Sequence, residues 1–214
     1  MPKAEHLNPG EENLHGALNL VAQLVDPQVL SFCEGFYNWL ALEKGFSRNT
    51  WYNYFFDLHI FFTFLQQHKG GMINAQTLRQ LSLDDCRAFF FARLQDDISK
   101  RTNARALSAL KTFYKYIKRF HGIDNDEVPL VRAAKFNSTL PRPLTFGEAL
   151  SVIDEGDMSA TESWVIARNR ALFAIMYGCG LRISETLNLK ISHVMNGASS
   201  MVVEGKGRKE RTVH

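Results

Sequence analysis

The sequence lacks most of what would mark a secreted, membrane-bound or metal-dependent protein. Its three cysteines, Cys33, Cys86 and Cys179, are odd in number and form no CxxC pair. That excludes a disulfide framework and points to a reducing compartment. No apolar run is long enough to span a bilayer. The longest early one, Ala17 to Val25, is interrupted by Asn19 and Gln23 and follows Glu11 and Glu12, so it makes a poor signal peptide. The seven histidines show no HExxH-type spacing and no Asp/Glu cluster suits a metal, so no metal site is predicted. There is no Walker A spacing, no internal repeat and no low-complexity tract. These absences predict a cytoplasmic protein with no membrane partner.

What remains is an ordinary cored chain. Its 214 residues suffice for one large domain or two small ones. Apolar residues make up 45% and charged residues 22%, and sixteen phenylalanines argue for an aromatic core. The net charge of +3 says little by itself; its distribution matters more.

Helical periodicity dominates the first part. Val29, Phe32, Cys33, Phe36, Trp39 and Leu40 recur at three- and four-residue steps on one face. Lys44 to Ser47 breaks the pattern, and Ser47 is an N-cap candidate. The next helix carries Trp51, Phe55, Leu58, Phe62 and Leu65 on one stripe. Tyr54, Phe61 and Phe64 widen it until most sides are apolar, as in a central helix. Gly70-Gly71 ends this helix, and Ser82-Leu-Asp-Asp85 starts another through Cys86, Phe89, Phe90 and Leu94.

The stretch from Ser99 to Gly122 holds seven lysines and arginines and no acid. Leu107, Leu110, Tyr114 and Ile117 form an apolar stripe. Arg101, Arg105, Ser108, Thr112, Lys115 and Arg119 form a second stripe on another face. A solvated face is the bland reading of such a run. The complete absence of acids favours a helix facing phosphates.

Residues 126–144, which hold Pro129, read as a linker, with Pro141 and Pro143 around Arg142 favouring extended backbone. Beyond it, Thr145-Phe-Gly-Glu148 is a capping box, and Ser159-Ala-Thr-Glu162 is a second candidate before a helix reaching about Tyr177. An apolar helical run then opens on Arg182. Met201 to Val213 reads as a strand, a turn and a strand.

Singly, these signals are modest. Arg182 could be a structural arginine paired with Glu185, and Gly205-Lys206-Gly207 a solvated turn. In order, they are specific. Gly180-Leu-Arg-Ile-Ser-Glu185, then Leu187 and Leu189, then Gly205-Lys-Gly-Arg-Lys-Glu-Arg211 resembles the tyrosine recombinase (phage integrase) family, most closely its Xer-like branch. Phe46 to Thr50 resembles an element of that family's amino-terminal DNA-clamping domain. Arg105 to Tyr116 resembles a helix of it, and Leu140 to Leu144 the interdomain connection.

The resemblance implies a mainly α fold. A helical, SAM-like core-DNA-binding domain at 26–125 follows a tail at 1–25. The linker leads to the amino-terminal half of an α+β catalytic domain at 145–214, which ends in a β-hairpin. It implies that Arg182 grips the scissile phosphate and that Glu185 orients the site; an acid favoured by the helix dipole explains Glu185 about as well. It implies that Lys206 is the general acid, for which a lysine suits better than an arginine. Arg48, Arg101, Arg105, Lys111, Lys115, Arg119, Arg208, Lys209 and Arg211 become DNA contacts. Double-stranded DNA and other recombinase protomers are the implied partners, and no cofactor is implied. The family's HxxR motif and nucleophilic tyrosine have no counterpart before His214, so the chain is expected to bind DNA without cleaving it, being cut from a longer recombinase or naturally truncated. Its second half is expected to expose apolar surface. A truncated DNA-binding regulator without catalysis is the alternative. A helical interaction module is a third reading, but it leaves Arg182 and the Lys206 hairpin unexplained.

Overall fold

The computed structural model describes residues 16, 18–135, 142–155, 162–194, 200–205 and 209–213. The chain divides into two compact units, Met1–Ser138 and Thr139–His214.

The first unit is helical: α1 Pro27–Asn38, α2 Arg48–Lys69, α3 Ala75–Arg79, α4 Leu83–Gln95 and α5 Lys100–His121. Each start has a local cause. Asp26 accepts the Val29 N–H at 2.7 Å ahead of Pro27, which is suited to a first helical position. Ser82 and Asp85 cap α4 reciprocally, and Asn74 and Thr77 do the same for α3. The Ser99 hydroxyl accepts the Thr102 N–H at the start of α5. Ser47 precedes α2, but its hydroxyl bonds that of Thr50 and no backbone N–H. Gly70 and Gly122 end α2 and α5 in left-handed conformation. Past α1 the chain makes a π-helical turn, Trp39–Glu43, which the periodicity did not announce.

The predicted core stripes of α1, α2 and α5 are buried, whereas Leu94 near the end of α4 faces solvent. Phe36, Phe55, Phe61, Phe62 and Phe113 are sealed from solvent. Phe113 meets both Phe36 and Phe62 edge-on, at 5.3 and 5.8 Å between ring centroids. α2 is central, but its apolar sides are not all covered: Tyr52 and Phe56 face solvent, and Asp57 lies buried within it. Val128 and Val131 join this core, so the chain stays packed on the first unit through residue 131.

The second unit is α+β: α6 Phe146–Glu155, α7 Ser163–Cys179, α8 Ile183–Leu187, α9 Ile191–Val194, and antiparallel strands β1 Met201–Glu204 and β2 Glu210–Val213. Met201 pairs with Val213 and Glu204 with Glu210. The Thr145–Glu148 box caps α6 as expected. Ser159 lies outside the described residues; Glu162 precedes α7 without a side-chain cap.

Among the described residues, Leu181, Val203 and Val213 form a buried apolar cluster here, with Ile175, Cys179, Leu189 and Met201 packed against it. No described residue of α7 is buried. Phe146, Trp164, Leu187 and Ile191 all face solvent, Ile191 at 75%. The apolar run after Arg182 is therefore not one core helix. It breaks at Asn188 into α8 and α9, which turns Leu187 and Ile191 outward.

Candidate phosphate-binding site and nucleic-acid interface

Gly180, at φ 60°, ends α7 in the left-handed region. Leu181 is anchored in the small core. Arg182 is thus held extended (φ −76°, ψ 153°) as the N-cap of α8. Its backbone N–H donates to Glu185 Oε2 at 2.9 Å and its Nη1 to Glu185 Oε1 at 2.8 Å. Glu185, three residues into the turn, closes half a capping box. From β2, Arg211 Nη2 donates to Glu185 Oε2 at 2.8 Å and to the Gly180 carbonyl at 2.9 Å. One carboxylate, 3% exposed, therefore ties the end of α7, the start of α8 and the hairpin together. The hairpin lies close: a Cβ at Gly205 would come within 3.1 Å of Glu185 Oε1.

Two guanidinium ions share this one carboxylate, so the knot keeps a positive charge. Arg182 carries it outward, its side chain 67% exposed. The structural pairing of Arg182 with Glu185 and an outward-facing cation are therefore compatible. The Glu185 carboxyl is held down to about 2, chiefly by the Arg182 backbone N–H, then by the Arg182 and Arg211 side chains against the pull of burial. Because the folded value lies below the ordinary 4.5, the stabilisation is complete above that pH and is lost as pH falls towards 2. An acid titration of thermal stability should therefore be shallower in Glu185→Gln across that window; an unchanged slope would show that the carboxylate is not held this way.

Lys206 and Arg208 lie outside the described residues. Lys209 is exposed, and its carbonyl accepts the Gly205 N–H at 2.8 Å to close the base of the hairpin.

In the first unit, Arg48, Arg101, Lys115 and Arg119 are exposed. Arg119 lies over the Phe120 ring at 5.0 Å. Lys111 Nζ donates to the Pro129 carbonyl at 2.8 Å. Arg105 is bound to Asp57. The first turns of α2 and α5 contain no acid of their own to offset the positive dipole ends. Reading the sequence missed Asp57 and gave Arg211 no partner. A lone aspartate inside the aromatic stripe of α2 was the available signal for the first.

Residues 33–121 match the phage integrase N-terminal SAM-like domain, and residues 157–214 match the phage integrase family. The chain belongs to the phage integrase family of tyrosine recombinases. It is 35% identical over 187 residues to the tyrosine recombinase XerC of Rhodospirillum centenum, covering 87% of this chain and 55% of the relative. It is 34% identical over 197 residues to XerC of Rhizobium meliloti, covering 92% and 62%. The chain thus spans little more than half the length of these curated tyrosine recombinases. Among solved structures, it resembles the XerH site-specific recombinase bound to palindromic difH substrate (TM-score 0.60, 21% identity, 98% of this chain and 66% of that one). It also resembles a lambda integrase tetramer bound to a Holliday junction (TM-score 0.62, 16% identity, 99% and 55%). Both share the recombinase fold. Among the described residues, no helix is long and apolar enough to cross a membrane.

Proposed function

We propose that this chain is the DNA-clamping and phosphate-holding part of a cytoplasmic site-specific tyrosine recombinase, which breaks and rejoins duplex DNA through a phosphotyrosine intermediate. The observation that carries the reading is the Glu185 knot. It fixes Arg182 at the family's motif position and leaves the guanidinium exposed.

A tyrosine hydroxyl attacks phosphorus, the bond to the 5′ oxygen breaks, and negative charge builds on the non-bridging oxygens. Arg182 offers those oxygens a planar pair of donors. Glu185 is the residue that orients it, and Lys206 gives its proton to the departing 5′ oxygen. Arg211 is better placed to hold the hairpin against Glu185 than to meet DNA. Arg48, Arg101, Lys115, Arg119, Arg208 and Lys209 neutralise backbone phosphates, with the first unit clamping the duplex and the chain beyond Val131 leading to the second. Further protomers assemble on paired sites.

Titrating the chain with duplex DNA at two salt concentrations tests the binding half. With about six phosphates neutralised, log affinity falls with log salt at a slope near −5.4, so a roughly fourfold rise in salt weakens binding on the order of 1000-fold. Affinity that ignores salt would overturn the reading.

A further inference from the structure

One arginine of the α5 polar stripe is already engaged. Arg105 donates from Nε to Asp57 Oδ2 at 2.8 Å and from Nη2 to Asp57 Oδ1 at 3.2 Å. The Asp57 side chain is 1% exposed, so it is a buried carboxylate gripped from two points across two helices. Yet 40% of the Arg105 side chain is exposed, on the stripe shared with Arg101, Ser108 and Lys115.

The shape of the guanidinium decides what this means. It is planar, with five N–H donors in a rigid fork. Asp57 occupies the edge formed by Nε and Nη2. The edge formed by Nη1 and Nη2 points away from the carboxylate and can grip a second two-oxygen acceptor. The local charge balance favours an anion there. Arg93 of α4 is also buried, donating from Nε to Asn103 Oδ1 at 2.6 Å, and lies near enough for the charges of Asp57 and Arg105 to act on it. With Arg93 in electrostatic reach, one carboxylate is balanced against two guanidinium ions, which leaves a net positive charge.

We infer that Asp57 is a positioning residue for DNA binding: it locks Arg105 so that the outer edge of the guanidinium is presented, preset, to a backbone phosphate. This rests on the DNA-binding reading above. The competing role is a plain strut between α2 and α5, which would use the same two hydrogen bonds and need no DNA.

Two variants separate these roles, each checked for folding by thermal melting and then titrated with duplex DNA well below its melting temperature. Asp57→Asn keeps the Arg105 charge but loosens its grip; it should weaken binding several-fold with the salt slope unchanged. The double variant Asp57→Asn with Arg105→Gln removes both charges together, so no buried ion is left unpaired. It should lower affinity roughly tenfold, equally for unrelated duplex sequences, and reduce the salt slope by about one. If the single variant does not fold, the double variant decides alone. A folded double variant with parental affinity and slope makes the pair a strut and overturns the inference. If the parent chain itself shows no salt-dependent binding, the function reading falls first, which is a distinct outcome.

Discussion

Gly35→Ala is expected to destabilise the first unit by about 3 kcal/mol, the upper end of the usual penalty for overpacking a core. Gly35 sits in the interior of α1, where alanine would normally favour the helix. Here the added Cβ would fall 2.1 Å from the Tyr116 hydroxyl oxygen. Tyr116 cannot easily yield. Its ring packs against Phe36 at 5.5 Å, Trp39 at 5.6 Å and Phe120 at 5.0 Å, and its hydroxyl is 3.3 Å from His121 Nε2. Adding Tyr116→Phe removes the offending oxygen and leaves the next ring atom 3.3 Å away, so the double variant should recover most of the loss. Urea denaturation of the parent, both single variants and the double variant reads this directly. A single alanine variant as stable as the parent would mean that α1 and α5 do not meet as described.

The second large effect concerns chemistry. Under the proposed function, Arg182→Ala lowers the rate of strand cleavage by roughly 100- to 1000-fold, the range for losing one preorganised donor to a transition-state oxygen. Arg182→Lys should rescue little, because an ammonium cannot supply two parallel donors. The measurement is single-turnover formation of the protein–DNA covalent adduct, in a protein of the relatives' full length that carries this segment. DNA affinity should change far less than rate, since Arg182 is one cation among several. A variant that loses affinity and rate in equal measure would demote Arg182 to an ordinary phosphate contact.

Local chemistry was the legible part of the fold. Ser82 and the Thr145–Glu148 pair announce helix starts because the cap is complete within four residues. The aromatic stripe of α2 and the basic run of α5 were visible for the same reason. What escaped depends on distance or on competition. The Arg105–Asp57 pair spans 48 positions, and the Arg211–Glu185 contact spans 26. No periodicity encodes either. The π-helical turn at Trp39–Glu43 keeps an apolar spacing that an α-helix would also give. In the candidate site, motif order pointed to Arg182 and Glu185, but only the geometry shows that one carboxylate serves two arginines while one guanidinium stays open to solvent.

The small buried cluster among the described residues of the second unit bears on what ligand binding does to its stability. Any ligand that prefers a folded partner adds to its stability, by about 2.7 kcal/mol when present at a hundred times its dissociation constant. That equals roughly one more fully buried leucine. Under the proposed function, a bound double helix would therefore share with the protein the work of holding this unit folded.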